Sequence, residues 1–260
     1  MMLSRLEIRV NQKDRRETSS SSKGNQIKWF KEGYWLKANT FGYEDLAEWF
    51  VAHMLSFSNL GEEEYIKYEL CSIIEESKVW EGCRSKNFTK PGDVLMTFSR
   101  LFEMNLIEEE LFFKSHNLSD RVALVIETLY KLTKVDVSDY LRKIFTIDAI
   151  IWNEDRHLNN LAVIYNDTTG FRLCPIFDNG LSLLSDTSAY PTYTSNSLLL
   201  RQVKAKPFSQ NFEKQMQVLG SGLVIDKQSL MTFMESNQSL IGRIKGIIET
   251  SMGMYPQIFV

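Results

Sequence analysis

The stretch Asn153-Glu154-Asp155-Arg156-His157-Leu158-Asn159-Asn160 decides the reading of this chain. Asp155 stands five residues before Asn160, a D-x-x-x-x-N spacing, and eighteen residues after Asn160 comes Asp178, in Phe177-Asp178-Asn179-Gly180. Residues 137–152, just ahead, carry Leu141, Ile144, Phe145, Ile147, Ile150, Ile151 and Trp152, apolar nearly all round. That pattern predicts a central buried helix. Residues 161–165 and 171–176 flank a turn at 166–170 and predict a β-hairpin that carries Asp178 back beside the polar loop.

Buried helix, polar loop, hairpin and Asp-x-Gly together point to phosphoryl transfer from ATP. That reaction asks little covalent chemistry of a protein. It needs a carboxylate near the attacking hydroxyl and hard oxygen ligands for Mg²⁺. Each piece alone is weak. Asp and Asn are common in turns, F-D-N-G is an ordinary turn sequence, His157 alone reads as a packed or capping histidine, and Arg156 alone as a surface or salt-bridge residue.

Working outward, residues 26–30 and 34–37 surround Lys31-Glu32-Gly33 and predict a first hairpin ending in Lys37. A lysine there can reach the α- and β-phosphates, oriented by a carboxylate from the next helix. That helix is predicted over 43–56, where Glu44 and Glu48 lie one turn apart on one side; Glu44 is the preferred partner. Strands are predicted at 65–74 and 78–84, and helical character from about residue 93, with helices over 120–133 and in two segments after Asp226. Thr18–Ser22 reads T-S-S-S-S, followed by Lys23 and Gly24. It sits where a phosphate-covering loop belongs, and hydroxyls and backbone N–H groups can cradle phosphate. No G-x-x-x-x-G-K-[ST] occurs, which argues against a P-loop NTPase.

The expected fold class is therefore α+β, with a small β-rich lobe over 1–90 and a larger helical lobe over 91–260. The 260 residues are 43% hydrophobic and 24% charged, the ordinary globular range. Net charge is −3, but residues 1–37 hold nine Lys/Arg against four Asp/Glu and the remainder 21 against 29. A pI near 5.8 argues against a dedicated nucleic-acid binder. No run of 18 apolar residues predicts a membrane span. Residues 1–10 lack the apolar core of a signal peptide, and three widely spaced cysteines (Cys71, Cys83, Cys174) suggest reduced thiols, so a cytoplasmic chain is expected, with secretion as an effector left open.

Four segments together resemble the HipA-like serine/threonine kinases: S-S-K-G-N-Q-I-K-W at 21–29, W-L-K at 35–37, N-E-D-R-H-L-N-N at 153–160 and I-F-D-N-G at 176–180. G-Y-E-x-L-x-E at 42–48 and G-C-x-S-x-N-F-x-K-P-G at 82–92 resemble the compact, CtkA-type members. The resemblance runs roughly from Ser19 to Asp178, and it implies that the two lobes are protein-kinase-like. It implies Asp155 as the catalytic aspartate, with His157 beside it, and Asn160 and Asp178 as Mg²⁺ ligands. Lys37 would be the ATP-phosphate lysine, and Ser20, Ser21, Ser22, Lys23 and Gly24 the nucleotide loop. The strand around Cys83 and Arg84 would be the adenine hinge. It also implies autophosphorylation at Ser20, Ser21 or Ser22, a protein substrate bearing Ser or Thr, and an antitoxin as a possible partner. The additional N-terminal subdomain of full-length HipA has no counterpart here. Two other readings share the core: a phosphoinositide or small-molecule kinase, which D-R-H-x-x-N and D-N-G-L also resemble, and a nucleotide-binding pseudokinase.

Overall fold

Alternating apolar and charged residues at the front of the chain form β1 (Leu6–Val10), which runs parallel to β5 (Tyr68–Glu75), with Leu6 opposite Cys71. The other strands of this sheet are β2 (Arg15–Arg16), β3 (Lys28–Lys31), β4 (Tyr34–Ala38) and β6 (Lys78–Lys86). They stand in the order β1-β5-β6-β4-β3-β2, and every neighbour pair except β1–β5 is antiparallel. The computed structural model describes residues 5–16, 26–108 and 117–260.

The hairpin between β3 and β4 closes through Glu32 and Gly33, both at positive φ, between the paired residues Lys31 and Tyr34. Positive φ at both central positions is the two-residue turn that matches strand twist. The register sets Lys28 directly opposite Lys37. At Gly82, a Cβ would stand 2.2 Å from the Lys37 carbonyl oxygen, so only glycine lets β6 approach β4 this closely. Helix α1 (Glu44–Ser56) lies against β5 and β6, and its Ala52 packs with Ile66, Tyr68 and Cys83.

The second lobe contains β7 (Asp93–Thr97), α2 (Phe98–Met104), α3 (Leu118–Thr133), α4 (Ser138–Ile151), β8 (Ala162–Asn166) and β9 (Gly170–Leu173). It continues with α5 (Asn196–Leu200), α6 (Phe212–Leu219), α7 (Lys227–Ser236) and α8 (Gln238–Met254). Helix α4 is its axis: residues 144–151 are all buried. The architecture is α+β, a curled six-stranded sheet with one helix beside a mainly helical lobe. No helix among the described residues is long and apolar enough to cross a membrane.

One expectation is corrected. Helical character does not begin at residue 93, because residues 93–97 form β7, which pairs with β8 and completes the three-stranded sheet β7-β8-β9. A two-stranded hairpin is marginal alone, and β7 supplies the third strand. Asp93 fixes its register. The carboxylate accepts from Asn166 Nδ2 (2.9 Å), Lys90 N (2.8 Å) and Arg172 NH2 (2.5 Å).

Hydrogen bonds from Arg172 first, then from Lys90 N, hold the Asp93 carboxyl well below the usual carboxylate range. The folded value lies below the unfolded one, so this stabilisation is complete above pH about 4 and is lost as pH falls through the folded value. Asp93→Asn is therefore expected to flatten the acid side of a Tm-against-pH curve. Equal slopes in parent and variant would contradict this.

Candidate active site

Helix α4 ends at Trp152, whose left-handed conformation (φ 56°, ψ 49°) turns the chain out of the helix. Asn153 then organises the loop. Its amide donates to Asp148 Oδ1 (3.0 Å) and its side-chain oxygen accepts from Asp155 N (3.0 Å). His157 N donates to Asp155 O (2.9 Å), and Asn160 Nδ2 donates to the same carbonyl (3.0 Å). Asp155 and Asn160 are thus fixed on one short loop, which closes in a 3-10 turn at Leu158–Asn160.

Arg156 is the tie between segments. Its guanidinium, fully buried, reaches Asp148 Oδ1 on α4 (3.0 Å), the Phe177 carbonyl (2.8 Å) and Asn179 Oδ1 (2.6 Å). One planar fork therefore holds the residues on both sides of Asp178. Asp178 itself sits at φ 61°, a left-handed position that Asp tolerates better than most residues.

Lys37 Nζ donates to Asp178 Oδ1 and to Glu48 Oε1, each at 2.7 Å. The other oxygen of Glu48 accepts from Asn179 N (2.9 Å). This corrects the preference for Glu44 as the partner of Lys37. Glu44 lies at the first turn of α1, where its carboxylate takes the N–H groups of Thr40 (2.9 Å), Phe41 (2.7 Å) and Gly42 (2.9 Å). Glu48, one turn on, faces the site. The same connector joins the lobes: Tyr43 Oη donates to Leu183 O (2.6 Å), and Thr187 N to Phe41 O (3.0 Å).

The charges reinforce one another. Burial would lower the Lys37 pKa, but Asp178 and Glu48 outweigh it and hold the ammonium well above its usual value. Burial would raise the Asp178 carboxyl, but Lys37 and then Lys28 hold it well below the usual carboxylate range. Lys28 is shifted the other way: burial lowers it, and Lys37 adds repulsion against the pull of Asp178. Burial also lowers His157, so its ring is neutral at pH 7. His157 Nδ1 accepts from Asn159 N (3.2 Å), which puts the proton on Nε2, 3.8 Å from Asp155 Oδ2.

Between the lobes lies a cleft of about 360 Å³. Lys28, Lys37 and Asp178 line its polar end, and Ile66, Tyr68, Phe88 and Phe177 its apolar end. The volume is in the range of small-ligand sites. Cys83 and Arg84 do not line it, which corrects their assignment to the hinge. β6 is an interior strand, and Cys83 is register-paired with Lys37 on one side and Leu70 on the other. Arg84 packs over Tyr34 (4.5 Å to the ring centroid) and pairs with Glu69 (2.7 Å). The cleft wall begins at the residue after Arg84, with Ser85, Asn87, Phe88 and Thr89. Ser20, Ser21, Ser22, Lys23 and Gly24 lie outside the described residues.

The donor set suits a hard divalent cation. Asn160 spends its amide nitrogen on Asp155 O, and Asp178 spends Oδ1 on Lys37, leaving an oxygen of each without a hydrogen bond from the described residues. Among those residues no cage of three His, Cys, Asp or Glu forms, and Mg²⁺ is commonly held by one or two carboxylates plus substrate phosphates and water. Two lysines were not foreseen as site residues. Lys28 is signalled by hairpin register. Lys206, whose Nζ is 3.6 Å from Asp155 Oδ1, arrives from 51 positions further along the chain, with no local signal.

No protein-family model matches the chain, and no curated protein matches it in sequence. Solved structures do match. The proinflammatory kinase CtkA of Helicobacter pylori superposes with a TM-score of 0.61 at 16% identity, over 95% of this chain and 94% of that one. HipA of Shewanella oneidensis MR-1, solved with HipB and operator DNA, gives a TM-score of 0.43 at 11% identity, over 94% of this chain and 56% of that one. The first likeness, spanning nearly the whole of both chains, gives this chain the fold of that kinase.

Proposed function

We propose that the protein is a Mg²⁺- and ATP-dependent kinase acting on serine or threonine hydroxyls, its own nucleotide loop included. The observation that carries this reading is the three-part ion cluster in which Lys37 bridges Glu48 and Asp178, 2.7 Å from each. In phosphoryl-transferring kinases a lysine so held by a helix carboxylate contacts the ATP phosphates, and the following Asp serves the metal. In this reading the apolar end of the cleft takes the adenine, Lys37 and Lys28 take phosphate oxygens, and Asp155 accepts the proton of the attacking hydroxyl. Asn160 and Asp178 would hold Mg²⁺, which when bound neutralises charge on the phosphates. The His157 ring stands beside Asp155, with Nε2 3.8 Å from Oδ2.

The test is ATP turnover with a degenerate Ser/Thr peptide library, with and without Mg²⁺, beside phosphoinositide vesicles as acceptor. Phosphate on the peptides, dependent on Mg²⁺, is the expected result. Phosphate on the lipid alone would give the site to a lipid kinase, and ATP binding without transfer to either would contradict the reading.

The two helix glutamates separate cleanly here. Glu48→Ala frees Lys37 from α1 and Asn179 N from its acceptor, a displacement of the ångström scale that costs on the order of 10²-fold in kcat/KM for ATP. Glu44→Ala removes three charge-assisted hydrogen bonds from the 40–42 turn and is expected to lower Tm first. Kinetic parameters and melting curves for the pair check this; a reversed pattern would restore Glu44 as the lysine's partner.

A further inference from the structure

We infer that Lys206 is a catalytic lysine, supplied by the C-terminal half of the chain to the transferring phosphoryl group. The inference rests on the kinase reading above and adds a residue to that site.

Lys206 Nζ lies 3.6 Å from Asp155 Oδ1, while His157 Nε2 lies 3.8 Å from Asp155 Oδ2. The carboxylate that would take the acceptor proton is flanked by the Lys206 side chain on one oxygen and the His157 ring on the other. Lys37 is tied to Glu48 and Asp178, and Lys28 lines the same end of the cleft. Lys206 therefore brings positive charge to the acceptor side, where an incoming hydroxyl meets the phosphorus.

The backbone that carries it is built to stay put. Buried Gln215 on α6 donates to Lys206 O (2.8 Å) and accepts from Phe208 N and Ser209 N (3.0 Å each). Val203, Ala205 and Phe208 are buried, and Ala205 N donates to Gln210 O (3.1 Å). The Lys206 side chain in contrast keeps 44% of its surface exposed. Its partner carboxylate on Asp155 is buried, at 12% side-chain exposure. A backbone held by hydrogen bonds and a half-exposed side chain beside the proton acceptor suit a group that contacts both Asp155 and a phosphate oxygen.

In the step itself, the acceptor oxygen bonds to the γ-phosphorus as the bond from that phosphorus to the ADP oxygen breaks. The electron pair leaves on ADP. The hydroxyl proton passes to Asp155 and then to solvent. Lys206 takes no part in the proton transfer. Its charge offsets the negative charge on the transferring group, and its contact orients Asp155. Removing one preorganised charge-stabilising donor costs on the order of 10²–10³-fold in kcat.

The experiment compares parent, Lys206→Met and Lys206→Arg for transfer to the peptide library, with KM for ATP and Tm measured alongside. The expected result for Lys206→Met is a kcat loss on the order of 10²-fold, with KM and Tm near parental and partial recovery in Lys206→Arg. In an Asp155→Asn background the same change should add little, because the two groups act as a unit. An active parent with an equally active Lys206→Met overturns this assignment alone. A loss accompanied by a matching fall in Tm makes Lys206 structural and overturns it too. A parent that transfers no phosphate overturns the kinase reading, and the lysine's role with it.

Discussion

Asp155→Ala is expected to lower phosphoryl transfer by roughly 10²–10⁴-fold, the usual contribution of a positioned general base, while ATP affinity and Tm stay close to parental. The loop that carries Asp155 does not depend on its side chain. Asn153 and Asn160 hold the backbone N–H and carbonyl of residue 155, and Arg156 holds the loop to α4 and to residues 177–179. The polar end of the cleft is lined by Lys28, Lys37 and Asp178, not by Asp155. Chemistry and binding should therefore separate at this position. Single-turnover transfer, nucleotide titration and a melting curve on the same variant check all three; transfer at the parental rate would end the assignment of Asp155.

Arg156→Ala is expected to be the most destabilising single change in the site. It leaves Asp148, fully buried, without its cation, and removes donors from Phe177 O and Asn179 Oδ1. Breaking a buried pair from one side costs about 3–5 kcal/mol. For a chain of this size that is a fall in Tm of about 6–20 °C, at about 2–4 °C per kcal/mol. Arg156→Lys should recover little of this, since an ammonium cannot make the same fork of contacts to three segments. Replacing both Arg156 and Asp148 by apolar residues of similar volume should cost less than Arg156→Ala alone, because no charge is then left unpaired. Thermal melts of the single and double variants measure this. A single variant within a degree or two of parent would show that the guanidinium does not hold the loop together.

Much of this geometry is local in sequence, and that part was legible. The D-x-x-x-x-N loop, the hairpin behind it and the central helix lie within 42 consecutive positions, 137–178, and the structure sets their elements at Ser138–Ile151, Ala162–Asn166 and Gly170–Leu173. The first hairpin and α1 were legible for the same reason, from a Gly-containing turn and from helical spacing. Misreadings arose where long-range pairing decides. β7 is a strand because β8 lies beside it. The hinge assignment fell short of the cleft wall, which begins at Ser85, still on β6, and runs on to Thr89. Glu44 and Glu48 share a helix face, and only the turn at 40–42, which captures Glu44, decides which one meets Lys37. Lys206 illustrates the remaining class: a lysine in an unremarkable V-K-A-K-P stretch, brought to Asp155 by the packing of the C-terminal half.

The most direct measurement is intact mass of the protein after incubation with ATP and Mg²⁺, beside Asp155→Ala, followed by peptide mapping. A gain of phosphate in the parent, absent from the variant and located within residues 19–22, is the predicted result. A parent whose mass does not change, or a variant that gains phosphate as fast as the parent, would contradict the account.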